Sequence, residues 1–349
     1  MVFQPDYNNL LDVVNNRKPK RLPLYEHIIT DDFIGLYRQK EFQMGHSTLE
    51  SAVDYFSEYV AFWKEMTYDG IAYEASMCEI YPGHGAIYGG MPGPIQNRSD
   101  FKNYPFEEIY DIFWDRYKNQ FDALRIVLPK GMKYYGGVGN GIFETSEDLV
   151  GYEYLCLMQF DDPELFADLY GKIGEMYIRI WKRLLAEYSD MFVFFRMGDD
   201  LGFQTSTLLD PDTFRQYVFP QYKRIIDLVH ASGKRFLLHS CGNIFSVMDD
   251  LISLGIDAKH SNEDNIAPYD RWIEDYSERN GLVGGIDVNT LCLKPYDEVF
   301  EDVYEKAKKF RSMARGYAVG SGNSIPGYVP VEGYKAMVDA VNKIRNEEE

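Results

Sequence analysis

The chain has 349 residues, 45% of them hydrophobic, and its 36 Lys+Arg against 55 Asp+Glu give a formal net charge of −19. That length suits one large domain or two small ones with a sizeable core. The acidic balance argues against nucleic acid or an anionic membrane surface as a partner, and no apolar run approaches the ~20 residues of a membrane helix.

Residues 1–16 show no basic start followed by an apolar core, so no signal peptide is expected. Cys78, Cys156, Cys241 and Cys292 are widely spaced with no CxxC pair, which reads as reduced thiols in a soluble, cytoplasmic protein. Residues 1–20 form an entry segment ending at the break Arg17-Lys18-Pro19-Lys20. Arg21 to Ile28 then reads as a first strand that ends at Glu26-His27. Leu49, Val53, Phe56, Val60, Trp63 and Met66 recur at helical spacing over 48–67, with Ser47 or Thr48 as the cap. Gly70 to Ala75 is the second strand, with Glu74 near its end.

Residues 76–132 have a different character. Turn-forming residues and aromatics cluster in Tyr81-Pro82-Gly83-His84-Gly85 and again from Tyr88 to Pro94. The stretch is too long for an ordinary connection, so it reads either as a lid over a site or as a surface excursion. A helix is expected around 106–124. Lys133 to Val138 is the third strand, followed by helices near 146–158 and 162–188, the latter opened by Asp162-Pro163-Glu164. Met191 to Met197, Phe236 to His239, Ile256 to His260, Leu282 to Ile286 and Tyr317 to Gly320 are the remaining strands, with a helical pattern after each.

Eight strands alternating with helices imply parallel pairing through right-handed crossovers. The expected fold is therefore α/β, a single (β/α)8 TIM barrel over 21–346 with a long aromatic/Gly/Pro-rich insertion after the second strand. An open doubly wound sheet is the alternative, but no GxGxxG opens a helix and no P-loop is present. In such barrels the active site lies at the C-terminal strand ends. Here those ends carry Glu26 and His27, Glu74, Asn140, Asp199 and Asp200, His239 and Cys241, His260 and Glu263, Asp287, Ser321 and Asn323. Many Asp and Asn residues at such positions only cap the next helix.

His239 and Cys241 are two residues apart on an extended run, so their side chains share a face. Imidazole and thiolate both suit zinc. The plainer reading makes Cys241 a small core residue and His239 a satisfied buried imidazole.

The run His239-Ser240-Cys241-Gly242-Asn243 lies downstream of Gly198-Asp199-Asp200-Leu201-Gly202 and upstream of Gly284-Gly285-Ile286-Asp287. Together with the closing Gly320-Ser321-Gly322-Asn323-Ser324-Ile325-Pro326, this pattern resembles the uroporphyrinogen decarboxylase superfamily from about residue 190 onward. The resemblance implies a (β/α)8 barrel and one of two chemistries. The decarboxylases act without metal and carry an arginine-rich N-terminal stretch. Here the equivalent, Leu22-Pro23-Leu24-Tyr25-Glu26-His27, has no arginine and holds an acid, which would repel a polycarboxylate. The corrinoid-dependent methyltransferases hold zinc with a His-x-Cys pair, matched by His239 and Cys241, and with a second, distant Cys, whose place Ser321 takes. A carboxylate from Glu26, Asp199 or Asp287 could supply the missing ligand; otherwise there is no metal.

What the resemblance implies is a methyltransferase moving a methyl group between a small donor, such as a methoxylated aromatic, and a corrinoid borne by a partner protein. Asp199 or Glu26 would orient or protonate, and Asn323, Tyr81 and Asp287 would contact substrate. The alternatives are a metal-free decarboxylase acting on a carboxylated substrate and a barrel that only binds a corrinoid carrier.

Overall fold

Short apolar runs, most of them closed by a glycine or a polar residue, form the strands of one parallel sheet. The computed structural model describes residues 3–43 and 48–348. Among them the strands are β1 (Ile71–Ser76), β2 (Tyr134–Gly139), β3 (Phe192–Gly198), β4 (Phe236–His239), β5 (Ala258–His260), β6 (Gly281–Ile286) and β7 (Tyr317–Ser321), adjacent in chain order. β1 to β7 answer to the second to eighth expected strands. β2 to β7 have every residue buried, as in a sheet covered on both faces.

The first expected strand is a correction. Residues 22–29 make no ladder. They run beside β7 through isolated parallel bridges, Leu24 to Val319 and Ile29 to Ile325. Tyr25 N–H donates to the Val319 carbonyl, and Val319 N–H donates to the carbonyl of Pro23, a residue with no N–H of its own to extend the pairing. On the other side Glu26 N–H bonds the Tyr135 hydroxyl at 3.3 Å, and the Tyr25 and Tyr135 rings stack at 4.9 Å. A segment tied to β7 thus touches a side chain of β2, so the sheet is curled and its two edges approach each other. Among the described residues the sheet is a curled, seven-stranded α/β sheet, not eight paired strands.

The helices follow their sequence signals. Thr48 caps Leu49–Glu65 in a capping box with Ser51, while Ser47 lies outside the described residues. Asp162 accepts from Leu165 N–H at the start of Pro163–Tyr188. The helix expected over 146–158 is two, Ile142–Val150 and Tyr152–Asp161. Gly151 between them has φ 89°, a conformation that breaks the helix and that a β-carbon disfavours. The break leaves the Val150 carbonyl free to receive Gly93 N–H, which docks the 77–97 stretch. Asp148 secures the same stretch by accepting from Gly85 and Ile87 N–H. No helix among the described residues is long and apolar enough to cross a membrane.

Candidate active site

Register builds the centre. Gly198 pairs with His239 and His239 with His260, so the three lie level across β3, β4 and β5. Parallel neighbours in register point the same way, and the two imidazoles meet with Nδ1 to Nδ1 at 2.7 Å. His27, from the segment beside β7, stacks on His239 with centroids 3.6 Å apart and planes 4° from parallel.

These contacts fix the tautomers. The Ser321 carbonyl can only accept, so His260 carries its proton on Nε2, 2.9 Å away. His260 Nδ1 is then an acceptor and receives the proton of His239 Nδ1. His239 Nε2 is left with a bare lone pair, the form that binds a metal. Burial lowers both rings, His260 to about 3 and His239 well below its usual range, so both are neutral at pH 7. Long-range 15N–1H NMR of the metal-free protein is expected to show protons on His239 Nδ1 and His260 Nε2; a proton on His239 Nε2 would refute this assignment.

The bare nitrogen faces Cys241 Sγ at 3.4 Å and Asp200 Oδ1 at 3.6 Å. A tetrahedral zinc, ~2.0–2.1 Å from nitrogen and oxygen and ~2.3 Å from sulfur, separates such atoms by about 3.3–3.6 Å. His239 Nε2 thus stands at zinc-ligand spacing from both of the others, and all three atoms lie within 4.8 Å of one another, so the set could hold one zinc ion. Asp200 also accepts Cys241 N–H at 2.8 Å, which locks carboxylate and thiol side by side. Burial, and then Asp200, push the thiol well above its ordinary value; a dication would reverse that. Asn323 Nδ2 donates to the sulfur at 3.4 Å, and Ser261 Oγ lies 3.5 Å from it. Ser261 has φ 146°, a strained backbone at the centre of the site. Its hydroxyl also holds Gly322 O, at 2.7 Å.

The other expected residues lie elsewhere. Asp199 stands apart from these three: it points to the far side of β3, where its carboxylate accepts Phe143 and Glu144 N–H and the Tyr222 hydroxyl. It caps helix 142–150, and burial raises its pKa. Asp287 accepts Asn289 and Asp264 N–H, capping helix 288–293. Tyr81 is buried with its hydroxyl on Thr145, within the loop's own anchor. Glu26 accepts Ser321 N–H at 2.9 Å and shares a hydrogen bond with Ser321 Oγ at 2.5 Å, and burial lifts it to about 8. Ser321 therefore spends its hydroxyl on Glu26. Among the carboxylates, the one that joins His239 and Cys241 is Asp200, in place of Glu26, Asp199 and Asp287.

Residues 74–344 match the model of the family described as Uroporphyrinogen decarboxylase (URO-D). The chain belongs to this family. Among solved structures it is similar to a methyltransferase from Methanosarcina mazei, at 17% identity, with 96% of this chain and 97% of that one covered and a TM-score of 0.75, which shows a shared fold. It also matches a D-psicose 3-epimerase from Clostridium cellulolyticum H10, at 13% identity over 88% of this chain and 97% of that one, TM-score 0.41. An endo-beta-1,4-mannanase from Thermotoga petrophila matches at 12% identity over 96% and 79%, TM-score 0.45. The last two likenesses are too slight to bear on function. No curated protein matches the chain in sequence.

This URO-D family chain carries further buried polar groups that sequence reasoning passed over. Arg196 is fully buried, donating to Glu74 at 2.7 Å and to the His27 carbonyl at 2.5 Å. Lys259 sits over the Trp272 ring at 3.7 Å and donates to the Ser261 carbonyl; burial lowers it to about 7. Beside His27 lies a cavity of about 370 Å³, between residues 27–31, β1, and helices 49–65 and 109–127. The unpaired seam between the 22–29 segment and β1 provides its space.

Proposed function

We propose that the chain is a zinc-dependent methyltransferase that moves a methyl group between a small donor and a corrinoid carried by a partner protein. The observation that supports it most is the set His239 Nε2, Cys241 Sγ and Asp200 Oδ1, spaced for one zinc at the C-terminal strand ends. Three protein ligands leave a fourth position for substrate, as catalytic zinc sites do. Bound there, the ion would supply Lewis-acid polarisation of a donor oxygen.

The remaining roles belong to the chain. His260 and the Ser321 carbonyl keep His239 in its ligand tautomer. Asn323 orients the sulfur. Glu26, protonated near neutral pH, braces Ser321 and so acts as a positioning residue. In this reading residues 22–29 take the place of the barrel's eighth stave and bring His27 over the centre. A metal-free decarboxylase is less favoured, because Glu26-His27 stands where a polycarboxylate would need guanidinium groups.

The test is metal analysis of protein purified without chelator, with reduced cobalamin and a methyl donor as the assay. About one zinc per chain and an absorbance change of the corrinoid on methylation are expected. Metal-free protein that releases carbon dioxide from a carboxylated tetrapyrrole would overturn the proposal.

A further inference from the structure

A second cavity, of about 510 Å³, lies between the 77–97 stretch and the two helices that meet at Gly151. Ile87 and Met91 on one side and Val150, Tyr152 and Tyr154 on the other give it apolar and aromatic walls. The Tyr152 hydroxyl is spent on the Leu208 carbonyl at 2.8 Å, which leaves its ring for the cavity. The charges are all of one sign. Glu147 and Glu153 line the space, and no Lys, Arg or His does. The chain carries none of these three basic types from residue 85 to 97 or from 134 to 171, so neither wall has a cation of its own. Arg98, just beyond the first of these stretches, is engaged by Asp162 at 2.6 Å and Glu164 at 3.0 Å.

Glu147 differs from the acids around it. Asp148 accepts from Gly85 and Ile87 N–H, and Asp199 accepts from Phe143 and Glu144 N–H. Among the described residues the Glu147 carboxyl has neither a hydrogen bond nor a cation beside it. Burial, and then Asp199 and Asp200, lift it to about 8. A carboxyl taken largely out of water without a partner is costly, and a cation at its side offsets that cost. An anion would be repelled by the two acids. A metal ion or a bare ammonium would give up its hydration for walls that are mostly carbon. A weakly hydrated cation with apolar substituents loses little water and gains the tyrosine rings as well as the carboxylate.

We infer that this cavity binds an organic cation of the quaternary ammonium class, its charge toward Glu147 and its alkyl groups against the Met91, Tyr152 and Tyr154 wall. The site shares no residue with the His239, Cys241 and Asp200 set. Its occupancy does not rest on the methyltransferase proposal, and it is measured on metal-free protein without corrinoid.

Isothermal titration of the full chain at pH 8.5 would compare choline with 3,3-dimethylbutan-1-ol, which has its shape without its charge, and with the anion 3,3-dimethylbutanoate. Saturable choline binding, with the neutral and anionic probes at least tenfold weaker, is the expected result. Equal or tighter binding of either, or no saturable binding of choline, would overturn the inference. Choline affinity should also rise about tenfold from pH 6.5 to pH 8.5, because a proton must leave Glu147 before the cation can pair with it. The other titratable groups around Glu147 are Glu144 and Asp148 on its own helix, Asp199 and Asp200 after β3, and Tyr152, Glu153 and Tyr154 on the next helix. Glu147→Gln separates it from them: the variant should lose the rise with pH and bind choline about tenfold more weakly at pH 8.5, with circular dichroism as a check on folding. Unchanged affinity in the folded variant would overturn the assignment. If the variant does not fold, intermolecular NOEs from the choline methyl groups to labelled tyrosine rings of the parent protein locate the ligand, and their absence from both Tyr152 and Tyr154 would equally overturn it.

Discussion

Replacing Cys241 with alanine is expected to abolish zinc retention and to slow methyl transfer more than about a hundredfold. The reasoning rests on ligand count. Cys241 offers the sole thiolate of the cluster, and loss even of groups that merely orient a ligand costs ~10–100-fold in metal affinity or activity. The fold should tolerate the change. The residue is only partly buried, and its bond to Asp200 runs through the backbone N–H, which alanine keeps. Thermal unfolding of the metal-free variant should therefore match that of the metal-free parent. Asp200→Asn should weaken zinc less, because an amide oxygen can still bind but brings no charge. Zinc content by mass spectrometry, with chelator competition, reads both. Full metal retention in Cys241→Ala would remove the basis for a metal centre here.

A second large effect concerns stability. Glu26→Gln is expected to remove a pH dependence that the parent shows between about 4.5 and 8. Burial raises this carboxyl from its ordinary value of 4.5 to about 8 in the folded chain. The folded state therefore holds a proton that the unfolded state releases across that window. Stability is full below the unfolded value, declines as pH rises, and levels off above the folded one. At ~1.36 kcal/mol per unit the span comes to roughly 5 kcal/mol. Glutamine keeps the neutral contacts, accepting from Ser321 N–H and donating to Ser321 Oγ. The difference in unfolding free energy between variant and parent should grow in the variant's favour from pH 5 to pH 8.5. A difference constant with pH would mean that Glu26 is ionised in the fold.

The strand–helix alternation was legible because each strand is a short apolar run and several helices open on a side-chain cap, as at Thr48 and Asp162. The His239–Cys241 pair was legible because two-residue spacing on a strand needs no tertiary knowledge. The third member of the cluster was not. Asp199 and Asp200 are adjacent, and choosing between them requires the register. Gly198 lies beside His239, which makes residue 200 level with Cys241 and sends residue 199 to the opposite face. Strand parity from Arg196 through Gly198 would have pointed to Asp200. His260 was visible at a strand end, but its role needs two exact neighbours, His239 in register and a carbonyl from β7. The first strand failed for a local reason: Pro23 cannot donate, and the pairing on its other side gives way to a cavity.

The contact between Glu26 and Ser321 spans 295 residues of chain. Closing so long a loop costs roughly 5 kcal/mol in chain entropy beyond a constant, and both partners must exist first. A ribosome can deliver β1 to β6 with their helices while Leu24 to Ile29 still lacks the backbone partners it finds on Val319 and Ile325. The Ser321 carbonyl that sets the His260 tautomer arrives in the same stretch. The finishing touches of the centre are thus the last thing this polypeptide acquires during synthesis. A nascent or prematurely terminated chain would hold most of its hydrophobic core with that centre unfinished.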